Sequence, residues 1–392
     1  MLSPTSQLIL SSAKLEPSVS ELERLNDLIP QIENWDGLVA EIIARQTAPL
    51  FFKKLPLLTN RNLIPAEATA KLQQAYYRSL SRGMVLYSTF EKVAEAFCIA
   101  GIQVVVLKGI YLSEWLYGDI ALRQFSDMDL LVKKEDALQC LSILKNLGFK
   151  PLDAAVTEFI SSQSEIVHYA PMVLNNISVE VHIKLHRQSK HYDIKIDAFL
   201  SNAEKLLLRN KPVYGLELHD LLIHLCVHLD KHFRGGHVQF TSFNDIVNLL
   251  EKFKNEIDWT LLGQRSDYHA CEQTVFKFLV LIHKFYNAAL PEAILSKYGA
   301  LLSKEDEDLF IEYLNGVSVQ QYHVDFHWQN IRRIKGLAGK MHYMLDLIFP
   351  PRKFMLQKYG IQQPAFFWLW YPYRYYVGLK GLCKLLAGRV AN

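Results

Sequence analysis

Ser126-Asp127-Met128-Asp129-Leu130-Leu131-Val132 sets two carboxylates two residues apart at the head of an apolar run. On a strand alternate side chains share a face, so Asp127 and Asp129 point the same way. Like charges placed side by side repel and raise each other's pKa, which a purely structural strand does not favour. A divalent cation removes that conflict, because it is hard, prefers oxygen ligands and commonly arrives with a substrate phosphate. Upstream, Val104-Val105-Val106-Leu107 reads as a buried strand that stops at Lys108-Gly109. Glycine there lets the backbone approach phosphate oxygens where a Cβ would obstruct. Lys108 offers a point charge and Arg123 a bidentate fork, while Ser126 is placed to orient a metal or a phosphate.

Downstream, residues 166–174 and 177–185 read as the arms of a hairpin, because Asn175-Asn176 tolerates the positive φ of a type I′ turn. Pro171 cannot donate to a ladder, so the first arm is expected at an edge and the second inside the sheet. The second arm alternates: Val179, Val181, Ile183 and Leu185 on one face, Glu180, His182 and Lys184 on the other. Glu180 is therefore the natural third acid, and His182 is placed to contact substrate or a metal-bound water. Between the acid pair and the hairpin a helix is expected over 134–147, with Leu138, Leu141, Leu144 and Leu147 as its apolar side.

A strand ending in a glycine corner, a helix and an Asp-apolar-Asp strand resemble the nucleotidyltransferase superfamily to which polymerase β belongs. Leu107-Lys108-Gly109, Arg123 and the Ser126–Val132 run are similar to a branch of largely uncharacterised bacterial nucleotidyltransferase-like proteins, over roughly 102–185. The resemblance implies an α+β fold: a mixed β-sheet with helices at 101–195, flanked by an N-terminal helical region at 1–100 and a C-terminal helical region at 196–392. It also implies transfer of a nucleoside monophosphate from an NTP to a hydroxyl-type acceptor, small molecule or protein, with release of pyrophosphate. Catalytic and metal-holding roles fall to Asp127, Asp129 and Glu180, with Mg²⁺ or Mn²⁺ as cofactor. Nucleotide contacts fall to Lys108, Gly109, Arg123, Ser126 and His182. The alternative is a catalytically inactive or toxin-antitoxin-like module that keeps the fold and binds nucleotide or protein.

The flanks read as helical. Pro65 opens a three- and four-residue apolar spacing that runs to Ala100, with Gly101 at the C-terminal cap position. From about Asp197 onward helices are again expected, at 219–230, 243–253 and, in two pieces, 258–290. His224, His228 and His232 recur every four residues, with His219, His237 and Asp245 nearby. Such spacing can hold zinc, but without an H-E-x-x-H and amid Leu and Val the better reading is a buried structural face. Net charge is only +3, so no polybasic tail announces a nucleic acid. The first residues lack a basic n-region, and the five scattered cysteines never form a C-x-x-C pair; both are expected of a cytoplasmic protein. The aromatic stretch 366–386 is too short and interrupted to span a bilayer. It is expected to dock on its own helical region, or to touch a membrane surface or a partner.

Overall fold

The computed structural model describes residues 2–152, 167–186, 192–235 and 238–315, then Met341, Met344, Leu345, Ile348, Phe349, Arg352 and Met355, and 364–376. Its contacts divide the chain into one unit of 1–231 with 239–316 and a second of 232–238 with 317–392. The first unit contains the sheet.

Four short helices precede the sheet: α1 (Pro4–Ser11), α2 (Val19–Leu28), α3 (Trp35–Ala44) and α4 (Ala48–Lys54). The ends are set by local chemistry. Ser3 and Asn34 cap α1 and α3, and Ser18 with Glu21 forms a capping box on α2. Next comes α5 (Ala66–Ile99), 34 residues and about 50 Å long. It starts after Pro65, and Gly101 follows it with φ +70, so both sequence signals for its ends hold.

One face of α5 carries Ser79, Gly83 and Tyr87, four residues apart. Ser79 Oγ donates to the Ala121 carbonyl (2.6 Å) and Tyr87 OH to the Ile110 carbonyl (2.6 Å). A Cβ on Gly83 would stand 3.1 Å from the Ile120 carbonyl oxygen. Thus α5 is the surface on which the 110–121 segment is laid.

The sheet begins with β1 (Val105–Leu107), passes through α6 (Lys108–Trp115) to β2 (Asp127–Leu131), and continues through α7 (Ala137–Asn146). Then come β3 (Lys150–Pro151), β4 (Met172–Leu174) and β5 (Ile177–His182). After α8 (Ile196–Asn202), β6 (Glu204–Leu208) and β7 (Lys211–Gly215) complete, among the described residues, seven strands in the order β3-β4-β5-β2-β1-β7-β6. The sheet is mixed: β2 runs antiparallel to β1 and parallel to β5, while β1 runs parallel to β7. Val105, Val106, Leu130, Leu131, Val179 and Val181 are completely buried, each stabilising the fold by about 1.5–3 kcal/mol.

Three local differences from the sequence reading have physical reasons. Asn175 (φ 49) and Asn176 (φ 61) make the expected turn, but β4 starts only after Pro171 and β3 lies outside it, so β3 takes the edge. On α7 the inward residues are Ala137, Cys140 and Leu144, and Leu138 is exposed. A short 3-10 turn at Lys134–Asp136 precedes α7 and resets its phase. The segment after 197, read as helical, contains β6 and β7, turned at Arg209 (φ 51) and Asn210 (φ 62). Parallel pairing with β1 makes β7 an inner strand, a non-local partner that local periodicity does not announce.

Helices α9 (Leu218–Gly235), α10 (Phe240–Lys252), α11 (Trp259–Tyr268), α12 (Glu272–Tyr286), α13 (Glu292–Tyr298) and α14 (Lys304–Leu314) follow. No described helix is long and apolar enough to cross a membrane.

Candidate functional site

Register sets the site. Asp129 lies opposite Glu180, and Leu131 opposite His182, across the parallel β2–β5 pair. Asp129, Glu180 and His182 therefore share one face of adjacent strands, as the alternation of each strand requires. One ligand atom from each lies within 4.8 Å of the other two, and among the described residues this is the one such group. His182 Nε2 is 3.1 Å from Asp129 Oδ1 and 3.5 Å from Glu180 Oε2. Lys108 Nζ meets the other Asp129 oxygen at 2.8 Å. His168, bridged to His182 across the sheet, brings Nδ1 to 3.7 Å from Glu180.

Electrostatics separate the two aspartates. Burial alone would raise the Asp129 pKa, but Lys108 and His182 hold it far below the usual carboxylate range. At Asp127 burial and the neighbouring charges of Asp129 and Glu180 act together, and its pKa rises. Burial opposes protonation of His182, yet hydrogen bonds to Asp129 and Glu180 raise its pKa. Its second ring nitrogen, Nδ1, is buried without a hydrogen-bond partner among the described residues. Clustered carboxylates with one member pushed toward protonation, beside an imidazole, form a donor set that fits a divalent cation.

Of the eight residues singled out in the sequence, the structure brings Lys108, Asp129, Glu180 and His182 together. Asp127 stands on the same strand face as Asp129, opposite Ser178 and outside the tight group. Ser126 is exposed, and its carbonyl accepts from Arg82 (3.3 Å). The glycine corner is built differently from the expectation. Lys108 itself takes the left-handed conformation (φ 39), and Gly109 is the second residue of α6. A Cβ on Gly109 would stand 3.0 Å from Phe125 Cβ, so glycine there admits the Phe125 side chain. No side chain caps α6, which leaves its first amides available to an anion.

Arg123 is placed otherwise than a phosphate fork requires. Its Nε and Nη2 donate to the two oxygens of Asp245 at 2.8 and 2.7 Å, and Tyr117 OH donates to the same carboxylate at 2.9 Å. Both charges are buried. Arg123 thus ties the 116–126 loop to α10, a pairing that a helix 122 residues away hides from any local reading.

The histidines of α9 do not assemble the zinc set. His219 pairs with Glu217 through Nδ1 (2.6 Å) and accepts the Asp258 amide through Nε2 (2.9 Å). Asp245 is spent on Arg123, and His237 lies outside the described residues. His224 instead lies near His186 and His228, its ring tilted against theirs with centroids 5.2 and 6.0 Å away. Burial, helped by the charge of Lys108, lowers the His224 pKa to about 3, and neither of its nitrogens has a hydrogen-bond partner among the described residues. Sequence reasoning missed His168 and His186; the alternation of the Glu180 strand continues to His186, the one signal that could have pointed to it.

The model of a family described as uncharacterised nucleotidyltransferase matches residues 31–287. The chain belongs to that family. The match covers the sheet, the acidic cluster and α9–α12. A search of curated sequences found no match for this nucleotidyltransferase-family protein. Among solved structures it is similar to the antibiotic-resistance factor ANT(2'')-Ia, at 11% identity and TM-score 0.31, covering 55% of this chain and 93% of that one. It is also similar to an antigenic nucleotidyltransferase-like protein from Paracoccidioides brasiliensis, at 14% identity and TM-score 0.33, covering 56% and 97%. Likeness at that level carries no argument about substrate.

Proposed function

We propose that the protein transfers a nucleoside monophosphate from an NTP to a hydroxyl acceptor, with Mg²⁺ or Mn²⁺ held by Asp129, Glu180 and His182. The observation that carries this reading is the convergence of those three donors on paired strands beside an Asp127 of raised proton affinity. A bound divalent ion there would neutralise charge on the triphosphate as pyrophosphate departs.

The chain's own residues supply the rest. Lys108, within 2.8 Å of Asp129, can turn its ammonium to a phosphate oxygen once the carboxylate has another partner. The uncapped amides of α6 donate to the phosphate chain. Asp127, whose pKa the site raises through burial and the neighbouring acids, is the better base for the acceptor hydroxyl. The acceptor oxygen attacks the α-phosphorus, its proton passes to Asp127, and the bond to the β-phosphate oxygen breaks.

The test is incubation with α-phosphate-labelled NTPs and Mg²⁺ or Mn²⁺ across acceptor hydroxyls. Label is expected in an acceptor, with pyrophosphate released, and is expected to vanish in Asp129→Asn and Glu180→Gln. Absence of labelling together with absence of Mn²⁺ binding defeats the proposal.

A second reading, a nucleotide-binding module without catalysis, is favoured by one observation: Lys108 and His182 already satisfy both oxygens of Asp129. It predicts nucleotide affinity that does not change when the divalent ion is chelated.

A further inference from the structure

The second unit combines apolar exposure with a basic excess that the first unit lacks. Residues 317–392 carry eleven Lys and Arg against two Asp and Glu, in a chain whose total is only +3. Helical positions Met341, Met344, Leu345 and Ile348 follow the 3-, 4- and 7-residue spacing of one helix face. All four are exposed, as is Phe349. A second stretch, Pro364–Leu369 continuing helically through 376, exposes Phe366, Trp368, Leu369 and Tyr376.

These stretches touch each other. The Phe349 ring lies 5.8 Å from Tyr371 and 6.1 Å from Tyr375, and Tyr375 OH donates to the Ile348 carbonyl at 3.1 Å. The Arg352 guanidinium sits 5.7 Å over Phe367. Ile348, Phe349 and Arg352 thus tie the first stretch to the second, and exposed apolar side chains gathered on two joined stretches mark an interaction site.

We propose that the exposed residues Met341, Met344, Leu345, Ile348 and Phe349, with Phe366, Trp368, Leu369 and Tyr376, seat on the surface of an anionic phospholipid bilayer. Three features select that occupant. The eleven-to-two basic excess complements a negative surface, each basic side chain near it being worth roughly fivefold in partitioning. Trp368 and Tyr376 are exposed in the same stretch as Leu369, the mixture that settles at the headgroup boundary. The stripe of Met341, Met344, Leu345 and Ile348 is aliphatic, whereas single-stranded nucleic acid stacks on aromatic rings and gains little from thioether and aliphatic chains.

The test uses the full chain with sedimenting vesicles of phosphatidylcholine, alone or mixed with phosphatidylglycerol, at low and high salt. Binding is expected only with phosphatidylglycerol, with release by salt and a blue shift of tryptophan emission on binding. Trp368→Ser/Leu369→Ser and Met344→Ser/Leu345→Ser are each expected to lose about tenfold or more in partitioning. Both pairs are exposed, and an unchanged thermal melt verifies that the variants fold. The proposal is overturned if the wild-type chain stays in the supernatant with phosphatidylglycerol vesicles, or binds neutral vesicles equally well. It is equally overturned if the substitutions leave vesicle binding intact, or if they abolish self-association or RNA binding by a chain that does not bind vesicles.

Discussion

Removing either partner of the Arg123–Asp245 pair tests both the architecture of the site and the role of Arg123. The pair is buried on both sides and bidentate, at 2.8 and 2.7 Å, with Tyr117 OH as a third donor at 2.9 Å. Asp245→Leu leaves a guanidinium without a counter-charge in a site closed to water, at a cost of about 3–5 kcal/mol. The orphaned Tyr117 hydroxyl costs about 1 kcal/mol more. Arg123→Met leaves the carboxylate with one hydroxyl donor and is expected to cost about 3–5 kcal/mol. Arg123→Met/Asp245→Leu removes both charges, and its loss is expected to be about 2 kcal/mol, far below the sum of the single losses. The assay is urea unfolding followed by circular dichroism, with the transition of the sheet-bearing unit fitted by itself. Additive single losses would refute the coupling that this bidentate geometry implies. A double variant that folds well yet has lost NTP turnover, with Mn²⁺ affinity kept, would return Arg123 to the phosphate and overturn its placement as a tie.

Three further outcomes follow from the charge states. Burial lowers the Lys54 pKa from 10.5 to about 7, so between those values the unfolded chain holds a proton that the folded one lacks. Stability therefore rises with pH across that window; Lys54→Met is expected to flatten the rise and to raise stability at pH 7 by about 2 kcal/mol, after loss of its hydrogen bonds to the Ser12 and Leu50 carbonyls, as read from melts at several pH values. His224, lowered to about 3 by burial, makes stability fall as pH drops from 6.5 toward that value; His224→Leu is expected to weaken this acid sensitivity in the same melts. At the candidate metal site, burial opposes but Asp129 and Glu180 win, and the His182 pKa lies above 6.5. A proton on its ring competes with a cation, so Mn²⁺ affinity by calorimetry is expected to weaken as pH falls from 8 to 6, and less so in His182→Ala.

Much of the site was legible before the fold. The Asp-Met-Asp run, the valine alternation around Glu180 and His182, and the Asn175-Asn176 turn are local patterns, and each survives in the strands that carry them. Alternation assigns faces, and a two-residue turn fixes which residues lie on the inner arm. From this alone Glu180 and His182 were expected to share a face with each other, and Asp127 with Asp129.

What the chain could not announce is which strands become neighbours. Parallel pairing of β2 with β5 aligns Asp129, not Asp127, with Glu180 and brings His182 within reach. It is a register between segments some fifty residues apart, fixed by packing on both faces of the sheet. The same reason hides Asp245 as the partner of Arg123, Phe125 as the occupant of the space beside Gly109, and β7 as the far neighbour of β1. Local sequence sets the conformations and faces on offer; the energy that selects among pairings comes from burial and charge between distant segments, and only the tertiary structure contains it.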